Sequence, residues 1–366
     1  MLTQEVGAIA DVLKMDISGR VVADVDVDNV QEWAVLEKCR LYDLKSVISL
    51  RRTSRFDLAR QLISRCDVLL LAGGNMIMDL ESFSYYSFLC DRYATMAKKM
   101  HKKVVFAFVG VGKIRTNSQI KRWKRVLEKS DFIAVRDSIS KKSLLQNLGI
   151  KKPVAIWKDP VFILESPEKH KRKNTVGINI YLGAGASIEE REALKNSYVY
   201  LIESLQKEYD VVLFSTEIND EPGIREIYQV LHSTDKVRMV LSRSLEDLLS
   251  LYQNVDCILA TRMHSFIIAI TQHIPAIVLA WDKKIYGVST DIGLSDVVFD
   301  IHGVGEEKQR ILAAINTIMN EHDKNVKRME EINKQVKTEF SECRRELQRV
   351  LIEGSYEISR NINLFQ

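Results

Sequence analysis

Cysteine is scarce in this 366-residue sequence, and its five cysteines form no motif. No two of them stand in a C-x-x-C spacing, and their odd number argues against a closed set of disulfides. The sequence therefore predicts neither a disulfide framework nor a metal site, but buried thiols in a reducing compartment. The five are Cys39, Cys66, Cys90, Cys257 and Cys343.

Long hydrophobic runs are also missing. Residues 1–20 lack the apolar core of a signal peptide. No stretch of the chain approaches the ~20 apolar residues that a membrane-spanning helix needs. We therefore expect a cytoplasmic protein, and this expectation leaves open a peripheral association with the inner face of a membrane.

Motifs for nucleotide or acyl-transfer chemistry are absent as well. The chain has no G-x-G-x-x-G, no Walker loop and no G-x-S-x-G elbow. Its formal net charge of +4 is mild, and no run of the sequence gathers its Lys and Arg into a single block. This balance fits small anionic substrates or an anionic membrane surface, and it argues against nucleic acid as a partner.

What the sequence does contain is two series of apolar strands that alternate with helical segments. Strands predicted at 103–109 and 132–135 belong to the first series, and a polar, charged stretch at 165–175 separates it from the second. Such alternation is typical of parallel sheets covered by helices on both faces, so we predict an α/β fold of two domains. The predicted bounds are 1–168 and 175–302, followed by a helical extension at 303–366.

The extension carries apolar residues at helical spacing and no catalytic signature. This pattern favours a brace packed across the domains or a dimer surface, so self-association is left open.

The residues Arg262, His264 and Ser265 lie where a predicted strand ends and a predicted helix begins. Ligands of parallel sheets bind at the carboxyl ends of strands, and a helix N-terminus there favours an anion. Arg262 can grip a carboxylate or phosphate at two points, and His264 can donate a proton near neutral pH. An isolated Arg-x-His pair is more often a structural cap beside a satisfied histidine, and its place at a strand end weakens that preference without reversing it.

Further candidates follow other predicted strands. Lys284 would add a second cation on the same rim, although a loop lysine is more often simply solvated. The segments 73–75 and 110–112 are rich in glycine, which lets the backbone approach a ligand closely. Arg136 precedes Asp137 at another strand end, where such neighbours most often form structural ion pairs.

Taken in order, these segments resemble the polysaccharide pyruvyl transferase family. Segment 73–79 is similar to the family's Gly-Gly-Gly-x-x-x-x-Asp loop, with Asn75 in place of the third glycine. The resemblance spans roughly residues 70 to 287, and the ordered combination of motifs is specific although each one is weak. The other matching segments are 84–86, 110–112, 134–137 with Ser140, 148–150, 159–160, 262–264 and 282–284.

The resemblance implies a GT-B-like fold of two Rossmann-like domains with parallel sheets facing a cleft. The first domain would be the acceptor side and the second the donor side. The implied reaction transfers pyruvate from phosphoenolpyruvate to a sugar diol of a cell-surface polysaccharide or its lipid-diphosphate-linked precursor. A ketal forms and phosphate leaves. Phosphoenolpyruvate is then the donor substrate, and no cofactor is expected.

The resemblance also implies roles for residues. His264 is predicted as general acid or phosphate ligand, and Asp79 as the group that orients or deprotonates the sugar. The predicted substrate-binding residues are Arg262, Ser265, Lys284, Gly73, Gly74, Asn75, Gly112 and Arg136.

Two departures from the family pattern concern the acceptor side. The glycine-rich opening of the family is not recognisable in residues 1–13, and segment 113–117 replaces the usual glycine-proline continuation, adding Lys113 and Arg115. Two other functions stay open on this scaffold. One is glycosyl transfer from a nucleotide sugar, and the other is a non-catalytic binding role in polysaccharide assembly.

Overall fold

The computed structural model describes residues 55–79, 86–167, 172–183, 186–231 and 235–352. The chain forms two compact units: unit 1 comprises Met1–Asp159 and Phe340–Gln366, and unit 2 comprises Pro160–Glu339. The unit boundary thus precedes the charged stretch that composition singled out. The predicted domain bounds stay a prediction. The expectation for residues 1–13 concerns a segment outside the described residues.

Unit 1 alternates helices with short apolar strands, as the sequence predicts. Strands β1, β3, β5 and β6 form a parallel sheet in the order β1-β3-β5-β6, and β2 pairs in parallel with β4 apart from it. The described elements are α1 (Arg55–Arg65), β1 (Val68–Ala72), β2 (Ile77–Asp79), α2 (Tyr86–Lys99), β3 (Lys103–Val109), β4 (Val111–Ile114), α3 (Asn117–Lys129), β5 (Phe132–Val135), α4 (Ser138–Lys142, continued by a π-helical turn at Ser143–Asn147) and β6 (Ala155–Ile156).

Unit 2 repeats the alternation around a larger sheet. Its described elements are β7 (Thr175–Asn179), α5 (Ile188–Leu205), β8 (Asp210–Phe214), α6 (Glu221–Val230), β9 (Val237–Val240), α7 (Leu245–Tyr252), β10 (Cys257–Ala260), α8 (Met263–Thr271), β11 (Ala276–Ala280), α9 (Lys283–Asp291), β12 (Val298–Asp300), α10 (Val304–Asn320) and α11 (His322–Ile352), whose last residues belong to unit 1.

The six strands of unit 2 are parallel and run in the order β12-β11-β10-β7-β8-β9. This is the strand order of a Rossmann fold, in which the chain reverses direction of travel between the two central strands. Strands β7, β10 and β11 are buried along their whole length, so they are continuous apolar runs rather than alternating ones.

Local sequence fixes where several helices begin. Side chains of Thr116, Ser187 and Ser244 accept the backbone N–H of the third residue of α3, α5 and α7, and each belongs to a capping box. Such a cap stabilises a helix by about 1 kcal/mol.

The C-terminal helices bury the apolar stripes that the sequence predicts. Ile311, Ile315 and Met319 of α10 lie in the core of unit 2. In the part of α11 that belongs to unit 1, Phe340 stacks on Phe108 with ring centroids 5.6 Å apart. Among the described residues, no helix combines the length and the hydropathy that crossing a membrane requires.

Candidate functional site

The strand order of unit 2 creates a crevice at the carboxyl ends of β7 and β10. The helices that follow these two strands leave to opposite sides, and ligands of open α/β sheets bind at this switch point. Asn179 ends β7, and its buried side chain ties the neighbouring strand ends together. Its Oδ1 accepts the backbone N–H of Thr261 at 3.2 Å and that of Arg262 at 2.8 Å. Arg262 is thereby fixed beside the crevice.

Arg262 is bound to a carboxylate along one edge of its guanidinium. Its Nε and Nη2 donate to the Oδ2 and Oδ1 atoms of Asp220 at 2.8 and 2.6 Å. Asp220 lies in the loop after β8 and also lies 3.3 Å from the hydroxyl of Ser215. Among the described residues no group accepts from Nη1, so this end of the guanidinium can donate end-on to the anion of a ligand.

Aromatic rings flank the Arg262 guanidinium. Its Cζ lies 4.3 Å from the ring centroid of Tyr181 and 5.7 Å from that of Trp281. Both distances are within the range of cation–π attraction. Burial lowers the pKa of Arg262, but its hydrogen bonds and ion pair with Asp220 raise the pKa above its usual value. The group is therefore a fixed cation whose charge Asp220 largely offsets.

Lys284 brings a second cation to the same rim. Asp282 caps α9 by accepting the backbone N–H of Lys284 at 3.1 Å, and the Nζ atom of Lys284 lies 4.8 Å from the ring centroid of Trp281. The Trp281 indole donates to the carbonyl of Thr261 at 3.0 Å, which joins this loop to the end of β10. Trp281 thus lies against both Lys284 and Arg262.

The first turn of α8 presents one predicted residue to solvent and buries another. His264 is exposed. Ser265 is fully buried, and its Oγ lies 2.9 Å from the hydroxyl of Tyr252 at the end of α7. Ser265 therefore packs α8 against α7, a position that does not suit contact with a substrate.

In unit 1, the strand-end loops are joined through Arg136. Its Nη2 donates to Asn75 Oδ1 at 2.6 Å, and its Nη1 donates to Asp159 Oδ2 at 2.9 Å. Arg136 is only 3% exposed. A Cβ atom at Gly110 would clash with Asn75 Oδ1 and lie 2.9 Å from the Arg136 guanidinium, so a larger residue there would displace these two side chains.

Gly73 and Gly74 adopt left-handed backbone with φ of 77° and 60°, a conformation that favours glycine. The carbonyl of Gly74 accepts the N–H of Gly110 at 2.7 Å. The structure therefore brings together Gly73, Gly74, Asn75 and Arg136, and it engages Asn75 and Arg136 in a hydrogen-bond network that is largely buried.

The predicted base Asp79 and the predicted ligand Gly112 lie on the β2–β4 pair. Asp79 is fully buried, and its Oδ2 accepts from the Trp123 indole at 2.7 Å. A Cβ atom at Gly112 would lie 2.9 Å from Met78 Cβ, so this glycine permits the close approach of the two strands. Both positions have a clear structural role.

Three residues of this crevice were not predicted from the sequence: Asn179, Tyr181 and Asp220. Asn179 is a polar residue near the end of an apolar run, which is a signal of a strand end at a ligand crevice. Asp220 carries no such signal, because its partner Arg262 is 42 residues away and only the order of the strands brings them together. Among the described residues, no group of three or more His, Cys, Asp or Glu is placed to hold a metal ion.

Comparison with known proteins gives one family and one fold. The family model for polysaccharide pyruvyl transferase matches residues 8–283. A comparison with curated proteins finds no match.

Solved structures of GT-B glycosyltransferases share the fold at low identity. TarM is 12% identical with a TM-score of 0.53 over 81% of this chain, and this chain spans only 58% of the TarM chain. The HepE protein of Anabaena, solved with UDP and glucose, is 11% identical with a TM-score of 0.56, covering 81% of this chain and 82% of HepE. A UDP-forming trehalose-phosphate synthase from Burkholderia xenovorans is 11% identical with a TM-score of 0.53, covering 85% and 80%. The predicted GT-B-like fold is thereby confirmed.

Proposed function

The chain belongs to the polysaccharide pyruvyl transferase family, and we propose that it transfers pyruvate from phosphoenolpyruvate to two hydroxyls of one sugar, forming a ketal. Membership makes it a transferase of polysaccharide biosynthesis with a sugar acceptor. The proposed acceptor is a cell-surface polysaccharide or its lipid-diphosphate-linked precursor.

The observation that carries the proposal is the fixed cation pair at the switch point of unit 2. Phosphoenolpyruvate bears a carboxylate and a phosphate, and each needs a cationic partner. Arg262 offers Nη1 and the remaining N–H of Nη2, while Lys284 offers a compact ammonium next to the same Trp281 ring. Asp220 offsets much of the Arg262 charge, and Asp282 lies 3.5 Å from the Lys284 ammonium, so the N-terminus of α8 would add to the attraction of both cations for the donor.

The reaction balances without any further reactant. One proton adds to the methylene carbon of the enol, which becomes a methyl group. The central carbon then forms two C–O bonds with the sugar oxygens as its bond to the phosphate oxygen breaks. One of the two hydroxyl protons balances the proton that was added to the methylene carbon, and the other leaves with the phosphate.

Two residues bear on the proton path of this proposal. His264 is exposed at the first turn of α8, where it can either protonate the enol carbon or contact the phosphate. Asp79 is buried beneath Trp123, which does not suit proton exchange with a sugar hydroxyl, so we give it no part in the path.

We expect phosphoenolpyruvate to raise the melting temperature of the protein. A ligand at ten times its Kd stabilises the native state by about 1.4 kcal/mol, whereas UDP-sugars should have no effect. The measurement is thermal unfolding with each ligand, with pyruvate and inorganic phosphate at the same concentration as anion controls. HepE was solved with UDP and glucose, so a shift with UDP-sugars and none with phosphoenolpyruvate would favour glycosyl transfer instead.

Replacing His264 by glutamine should lower phosphate release by about 100-fold, the lower range for loss of a general acid. If His264 is the acid, the thermal shift produced by phosphoenolpyruvate is retained. If His264 is a phosphate ligand, that shift is reduced together with turnover. The variant His302→Gln, a substitution of an exposed histidine outside the crevice, is the matched control. Full phosphate release by His264→Gln would exclude both roles.

A further inference from the structure

Charge is divided unequally between the two units. Unit 1 contains 32 Lys and Arg against 22 Asp and Glu, a net charge of +10, whereas unit 2 contains 21 against 27, a net charge of −6. The mild overall charge of +4 therefore hides a basic unit and an acidic one.

The excess of positive charge lies within residues 86–159. This segment has 18 Lys and Arg but only five Asp and Glu. Asp137 and Asp159 are buried, Asp91 is paired with Arg125 and Lys129, and Asp131 is paired with Lys98. The fifth acid, Glu128, is exposed on α3 and lies near Lys152. The surface of this segment therefore carries an excess of positive charge that Glu128 offsets only in part.

Four lysines lie on α3 and on the turn near Gly149, and we call this region the basic face: Lys121, Lys124, Lys151 and Lys152. Lys124 Nζ lies 3.6 Å from the Cβ position of Gly149, and Lys152 donates to the carbonyl of Ser130 at the end of α3 at 2.5 Å. These two contacts place the turn against the helix. Lys121 and Lys151 are exposed.

The arginines around the basic face are held by the protein itself. Arg122 lies over the ring of Phe88 at 5.7 Å, and Arg125 is bound to Asp91. The charges left facing solvent are lysine ammoniums, which act as point charges rather than planar forks for one phosphate. The face therefore suits a diffuse anionic surface better than a single bound anion.

We propose that the basic face docks unit 1 on an anionic lipid bilayer. Each lysine near an anionic leaflet raises the membrane partition coefficient several-fold. Leu145 in the π-helical turn before Gly149 is 40% exposed and adds an apolar side chain to this region. Trp123 and Phe132 are buried, so the aromatic residues of segment 117–152 provide no stacking platform for single-stranded nucleic acid. The proposal goes beyond pyruvyl transfer and does not depend on that chemistry.

The test is sedimentation of the full chain with lipid vesicles. We expect binding to phosphatidylserine–phosphatidylcholine vesicles at low salt, loss of binding at high salt, and no binding to phosphatidylcholine alone. Equal binding to both kinds of vesicle, or no binding to either, would overturn the proposal.

Two matched triple variants test whether the basic face is the surface that docks on the bilayer. Lys121→Gln, Lys124→Gln and Lys151→Gln together should lower the partition coefficient on the order of 100-fold. Lys207→Gln, Lys327→Gln and Lys334→Gln remove the same charge from exposed positions of unit 2 and should leave the coefficient unchanged. An equal loss in both triples rejects the basic face as the docking surface. The proposal is also rejected if the triple variant of the basic face loses binding to duplex DNA but keeps binding to vesicles, because the face would then belong to nucleic acid.

Discussion

Replacing Arg262 by alanine is expected to lower kcat/KM for phosphoenolpyruvate on the order of 1000-fold. The side chain is proposed to make two charge-assisted hydrogen bonds to the donor, worth about 1.5–3 kcal/mol each. Steady-state release of phosphate at varied phosphoenolpyruvate measures the effect, and thermal unfolding with the ligand should show no shift for the variant.

Loss of Arg262 also leaves Asp220 without its partner at an 8% exposed position. A loss of activity through misfolding must therefore be separated from a loss of donor binding. The double variant Arg262→Ala, Asp220→Ala removes both charges and should regain the melting temperature but not the activity. Arg243→Ala, which breaks an ion pair with the adjacent Glu221 at the surface, is the matched control and should keep full activity.

Asp220 is expected to act only through Arg262, as a positioning residue. Asp220→Ala alone should raise KM for phosphoenolpyruvate by about tenfold, because the guanidinium loses its fixed edge. In the Arg262→Ala background the same change should have almost no further effect, since contacting residues are energetically coupled. Additive losses in this cycle would show an independent role for Asp220, and full activity of Arg262→Ala would remove the donor site from the crevice.

The sequence was most informative where the chain is fully buried. Continuous apolar runs predict β3 and β5 at their observed bounds, because strands of a parallel sheet bury both faces. The placement of Arg262 and Lys284 beyond successive strands follows from the same pattern. The β2–β4 pair was not predicted, since three- and four-residue strands outside the main sheet carry no periodic signal of their own.

Contacts that depend on strand order could not be predicted from the sequence. Asp220 meets Arg262 only because β8 neighbours β7 and β7 neighbours β10. Likewise Asn75 is hydrogen-bonded to Arg136, which lies 61 residues away in the sequence. The loop that was predicted to bind a ligand therefore takes part in a buried network. The net charge of unit 1 could not be counted from the sequence for a related reason, because unit 1 is assembled from two stretches of the chain that are far apart in sequence.

Replacing Arg136 by alanine is expected to destabilise unit 1 by about 3–5 kcal/mol, the range for breaking a buried ion pair. The carboxylate of Asp159, 5% exposed, would be left without this partner, and Asn75 would lose its donor. Hydrogen exchange of the β5 amides measures the change within unit 1, and the β10 amides of unit 2 serve as an internal reference.

Arg125→Ala is the matched control for the Arg136→Ala variant. Its side chain is 57% exposed, and Asp91 keeps Lys129 at 2.7 Å when Arg125 is removed, so a loss of about 0–1 kcal/mol is expected. The double variant Arg136→Met, Asp159→Leu replaces both partners by apolar side chains and should recover much of the lost protection. Protection of β5 that is equal in Arg136→Ala and Arg125→Ala would mean that the strand-end loops of unit 1 are held by their backbone contacts rather than by this ion pair.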